Sequence, residues 1–181
     1  LTDNSSKAAG WLTPVSDAPA YDTLLEEQIR EGILGITGLP DNRVAVVEGS
    51  EPPSWQTDES GCSFIIMQIS AAGAPVITHQ QEENSELWRE EIIQCVLHFY
   101  GPSAQKYATR FRDGSELSQN REELNVHALN IQSCSEITTV IDVVNDVKTR
   151  RYDLTVNLVR KVIRLYGINT LVEAPVNFFG E

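Results

Sequence analysis

Residues 87–100 read LWREEIIQCVLHFY, and two periods compete in this stretch. Trp88, Ile92, Cys95, Val96 and Phe99 fit helical spacing, whereas Ile93, Cys95, Leu97 and Phe99 fit strand alternation. Its β-branched and aromatic content suits a pleated, half-buried surface and predicts a long strand over Leu87–Tyr100. A strand also puts Cys95 and His98, three residues apart, on opposite faces, where a helix would make them neighbours.

Toward the N-terminus, Pro75–Gln80 reads as the hairpin partner of an apolar strand over Cys62–Ser70, joined by a turn at Ala71–Ala74. The segment Gly49–Gly61, with Pro52, Pro53, Glu51, Asp58 and Glu59 beside Glu48, has no apolar period. A loop of that length in a compact domain is usually functional or mobile. Arg43–Val47 reads as a short strand. Tyr21, Leu24, Leu25, Gln28, Ile29 and Gly32 trace one face of a helix over Pro19–Leu34, with Asp22, Glu26, Glu27 and Glu31 opposite. Asp17 is its expected N-cap, and Gly35 and Gly38 its expected end. Leu1–Ser16 reads as an extended arm.

Toward the C-terminus, Tyr100-Gly101-Pro102 breaks the strand, and Ala104, Tyr107, Ala108 and Phe111 stripe a helix ending near Gly114. A short helix follows over Gln119–Val126 with Ser118 as N-cap. Strands are expected over Leu129–Cys134, Thr138–Val147 and Tyr152–Leu165, the last with Leu154, Val156, Leu158 and Val162 on one face. Gly167 turns the chain into a return segment, Ile168–Ala174. The expectation is an α+β fold: an arm over residues 1–16, then one domain over 17–181 with a largely antiparallel sheet and helices packed on it.

The 181 residues carry a formal net charge of −12, with 41% hydrophobic and 22% charged side chains. These proportions exclude a disordered or low-complexity chain. Residues 1–100 hold 4 basic and 16 acidic side chains, and residues 101–181 hold 10 of each, so the imbalance lies in the first half. Such a chain is poorly suited to gripping phosphates, which needs clustered Lys and Arg. No stretch approaches a membrane span, and the polar start has no apolar run of signal-peptide type. Cys62, Cys95 and Cys134, odd in number and widely spaced, read as reduced intracellular thiols.

No phosphate-cradling glycine loop, nucleophile elbow or paired-histidine helix occurs. Cys95 and His98 are the one close thiol–imidazole pair, and a thiol or metal-dependent enzyme is the rival they raise. The strand assignment argues against it: Cys95 reads as a small core hydrophobe. Glu82, Glu83, Glu86, Glu90 and Glu91 could be hydrolytic carboxylates only if they faced one another across a substrate. They read as a solvated acidic rim. Lys148, Arg150 and Arg151, flanked by Asp142, Asp146 and Asp153, suit a protein–protein salt-bridge site better than nucleic acid. Trp11 and Trp55 lie in irregular segments, as interface anchors or folded back on their own domain. No catalytic, cofactor or metal site is expected.

Several of these pieces resemble one family. Gly10-Trp11-Leu12-Thr13-Pro14 is similar to the opening of the phage neck terminator (tail terminator) proteins. Tyr100-Gly101-Pro102 with Ala104 and Ala108 resembles their tyrosine–glycine–small segment entering a helix. Phe111-Arg112-Asp113, Asn120-Arg121 with Leu124, and Arg151-Tyr152-Asp153-Leu154 follow in the family's order. Val147 or Lys148 stands where the family often has tryptophan, and the Gly49–Gly61 loop has no close match.

The resemblance implies a structural, non-enzymatic virion protein with an α+β fold. It implies a ring, commonly a homohexamer, that ends the tail tube and meets the connector and adaptor proteins of the neck. In contractile tails it also meets the sheath. DNA passes through the lumen without specific binding, and assembly takes place in the host cytoplasm. A head-completion adaptor or a tail tube protein is the alternative within the virion. Interface contacts are expected at Trp11, Leu12, Pro14, Trp55, Arg112, Arg121, Arg150 and Arg151. The acidic cluster Glu82, Glu83, Glu86, Glu90 and Glu91, or else the acid-rich loop over residues 48–59, is expected to line or rim the lumen, because a DNA channel should avoid phosphate-binding cations.

Overall fold

The ambiguous stretch is a strand. In the computed structural model, which describes residues 4–47, 58–144 and 147–169, strand β4 runs Ser85–Tyr100. Its Ile93, Cys95, Leu97 and Phe99 are fully buried, while His98 and Tyr100 alternate to the other side. In chain order the other elements are α1 (Asp22–Thr37), β1 (Val44–Val46), β2 (Gly61–Ala71), β3 (Val76–Thr78), α2 (Ala104–Gly114), α3 (Ser118–Asn125), β5 (Asn130–Cys134), β6 (Thr138–Val144) and β7 (Val147–Tyr166). The sheet order is β1-β2-β4-β7-β5, with β3 on β4 and β6 on β7. Only the β1–β2 pair is parallel among the registers described, so the fold is α+β with a mostly antiparallel sheet.

The described residues group into two compact units. The larger holds residues 20–47, 58–71, 91–144 and 147–160. Its core joins Phe64 of β2, Leu97 and Phe99 of β4, and Leu154, Val156 and Leu158 of β7 to Leu25, Ile29 and Ile33 of α1, Ala108 and Phe111 of α2, and Leu124 of α3. The helices supply apolar residues at three- and four-residue spacing and the strands at two, so one layer of helices seals one sheet face. Gly32 and Leu124 meet closely: a Cβ on Gly32 would lie 2.5 Å from Leu124 Cδ2.

The smaller unit contains residues 4–19, 72–90 and 161–169. Asn4 doubles the N-terminal segment back, donating to Thr13 O at 3.0 Å and accepting from Thr13 N at 3.0 Å. The segment then runs beside the end of β7, with Val15 N donating to Leu165 O at 2.8 Å and Ser6 N to Gly167 O at 2.8 Å.

Three local expectations are corrected. Helix α1 starts at Asp22 with Tyr21 as N-cap, not at Pro19 with Asp17. Ala20 O, which a longer helix would need as an acceptor, instead takes Arg160 Nη1 at 2.5 Å. The helix runs through Gly35 and ends at Gly38, whose φ of 70° and N–H to Leu34 O close a left-handed cap. Strand β3 pairs β4, Val76 opposite Trp88, and not β2. At 16 residues β4 outruns the 11-residue β2, and β3 takes up edge that β2 leaves. Ser118 is the first residue of α3 rather than its cap. Trp55, most of the acid-rich loop and residues 170–174 lie outside the described residues.

Candidate interaction surfaces

Two clusters gather the sequence motifs. The first lies on the sheet face away from the helices. Arg151 and Asp153, two apart on β7, share a side. Arg151 donates from Nε to Asp153 Oδ1 at 2.8 Å and from Nη2 to Oδ2 at 2.9 Å. His98 Nδ1 lies 2.8 Å from the same Oδ1, and the Arg151 guanidinium sits 6.0 Å from the Tyr100 ring centroid. All three charged side chains are about four-fifths buried. Burial opposes ionisation of Asp153, but the hydrogen bonds from His98 and Arg151 outweigh it and hold the carboxyl below its ordinary range. Beside it, Gly101 takes φ 91°, and a Cβ there would meet Glu59 O at 2.3 Å. The tyrosine–glycine segment therefore lets two backbones touch.

The second cluster closes the corner between α2 and α3. Carbonyls at a helix C-terminus lack intrahelical partners. Asn120 Nδ2 donates to Gly114 O at 2.9 Å and Arg121 Nε to Ser115 O at 2.8 Å. Arg121 Nη2 also donates to Glu116 at 3.0 Å, and Arg112 is held by Asp113 at 2.9 Å. Arg112, Arg121 and Arg151 are thus engaged within their own chain.

The remaining expected contact residues stand differently. Trp11 is 98% exposed, Pro14 and Arg150 are exposed, and Leu12 is half-buried. Of the five glutamates, Glu82 and Glu90 are exposed and Glu83 pairs with Lys7 at 2.9 Å. Glu86 accepts from Trp88 Nε1 at 2.6 Å and lies 2.7 Å from His79 Nδ1, and those two bonds lower its pKa. Glu91 departs from the solvated rim: it is 8% exposed and takes Arg160 Nε at 2.9 Å.

Arg160 is the residue that sequence reasoning missed. It is 5% exposed and lies 5.2 Å from the Tyr21 ring centroid. The available signal was a charged residue inside the run Leu154, Val156, Leu158, Val162 at an inward position, which demands a buried counter-charge.

The thiols are poor nucleophiles. Cys62 and Cys95 are fully buried; burial raises both pKa values, that of Cys95 to about 12, so both stay protonated. Cys95 faces the core while His98 faces Asp153 on the other side of β4. Among the described residues no group of three or more His, Cys, Asp or Glu could hold a metal ion, and no helix is long and apolar enough to cross a membrane.

Compared with known proteins, residues 23–181 match the family model described as phage neck terminator protein. No curated protein matches the chain.

Proposed function

The chain belongs to the phage neck terminator family, structural proteins of the virion neck that associate with other neck and tail proteins where tail joins head, and from that premise we propose that it closes into a homohexameric ring on the end of the tail tube. The match across residues 23–181 carries the reading. The ring stops tube growth and offers its other side to the connector and adaptor proteins, and in contractile tails it also meets the sheath. DNA passes through the lumen unbound, and the ring is assembled in the host cytoplasm.

The charge distribution supports this arrangement. A ring needs two different patches that meet head to tail, and charge as uneven as −12 over residues 1–100 and zero over 101–181 is compatible with unlike patches. Each Lys or Arg facing a DNA channel would add counterion-release affinity. Glu82, Glu83, Glu86 and Glu90 rim the lumen in this reading, and Glu91 supports the fold instead. Residues 1–16 form the contact arm, with Trp11 as its anchor, and residues 17–181 the ring body.

Phage assembled without this protein tests the role. The expected particles are unjoined heads and tails of uncontrolled length. Joined, infectious particles with tails of uniform length contradict it.

A further inference from the structure

The hairpin of β6 and β7 carries the core face of the sheet beyond the core. Tyr152, Leu154 and Val156 are buried on that face. The register sets Thr139 opposite Tyr152, Ile141 opposite Arg150 and Val143 opposite Lys148. Directly opposed residues share a face, so Ile141, Val143, Lys148 and Arg150 continue the buried side outward. Yet Ile141 is 61% exposed and Val143 59%. Lys148 and Arg150 are also exposed, with no ion-pair partner among the described residues. The other side of the hairpin, with Val140, Thr149 and Arg151, is the better covered. An apolar pair flanked by two cations, on the face where a core belongs, fits a partner surface.

An occupant must offer an apolar contact beside carboxylates. Helix α1 does so. Leu24, expected on the apolar face, is 60% exposed, and Glu27 and Glu31, expected opposite it, follow three and seven residues later on its own stripe. Their side chains are 60% and 73% exposed. Glu27 faces Arg30 and Glu31 faces His127, but a carboxylate keeps further acceptor sites. We infer that the β6–β7 hairpin of one copy docks on the α1 stripe of a second copy of this chain, Ile141 and Val143 against Leu24, Lys148 and Arg150 against Glu27 and Glu31. Such a contact joins two different patches, and contacts of that kind close rings by rotation. The inference rests on the ring reading and supplies its interface.

The test uses the full chain, with sedimentation velocity over a range of concentrations and circular dichroism to verify folding. The variant Lys148→Glu/Arg150→Glu should need about tenfold higher concentration to assemble, since two attractive pairs become repulsive. Adding Glu27→Lys/Glu31→Lys to the same chain exchanges the signs and should restore assembly. A photo-crosslinking residue at position 141 should link to an α1 peptide of a second copy. Unchanged assembly of the first variant, or no rescue by the exchange, overturns the interface while leaving the ring intact. So does a crosslink to residues 170–181 of the same chain or to another virion protein. A wild-type chain that stays monomeric overturns the ring reading itself.

Discussion

Arg160 and Glu91 form an ion pair with side chains 4% and 11% exposed. Taking both charges out of water is costly, and among the described residues Arg160 Nη2 finds no hydrogen-bond partner. Such a pair is fragile to loss of one member and tolerant of loss of both. Glu91→Gln should lower unfolding free energy by about 3 kcal/mol, while Glu91→Leu with Arg160→Met should recover most of it, read by urea denaturation. Asp153 gives a pH-dependent counterpart. Its folded pKa lies below the unfolded value of about 3.9, so the stabilisation is complete above that value and lost as pH falls through the folded one. Asp153→Asn should therefore cost about 2 kcal/mol near pH 7, and the gap to wild type should close below about pH 4. A gap independent of pH would mean that the carboxylate charge is not what His98 and Arg151 hold.

At the scale of elements, what alternated in sequence could be read. The alternation of Ile93, Cys95, Leu97 and Phe99 placed β4, and the face of Leu154, Val156 and Leu158 placed β7 from Tyr152 onward, although that strand starts at Val147, where the preceding strand was expected to end. Separation of Cys95 from His98 followed from the same period. What depended on partners could not be read. Nothing in Val76–Thr78 says that it pairs with Trp88 rather than with β2. The start of α1 moved to Asp22, and a guanidinium 140 residues away takes the carbonyl of Ala20 ahead of it. The motif residues Arg112, Arg121 and Arg151 were visible as motifs, but not that each bonds to a neighbour within its own chain. Gly101 shows how a weak motif gains physical content. Its φ of 91° and the backbone of Glu59 and Ser60 leave no room for a Cβ. Gly101→Ala should destabilise by about 2 kcal/mol or more, seen as a lower midpoint in thermal or urea unfolding. An unchanged midpoint would show that the approach of the two segments is not required.

At the scale of the whole molecule, exposure bears on association. Two of the three thiols are sealed in the core, while Trp11 stands 98% exposed on an arm that is bonded along β7. Exposed Leu24, Glu27 and Glu31 on α1 and exposed Ile141, Lys148 and Arg150 on the β6–β7 hairpin are unlike surfaces of the kind a head-to-tail ring requires. The most direct measurement is the native mass of the purified full-length chain at rising concentration. A single closed oligomer of six copies that grows no further is the expected result. A monomer at every concentration, or an open-ended series of ever longer stacks, would contradict the account.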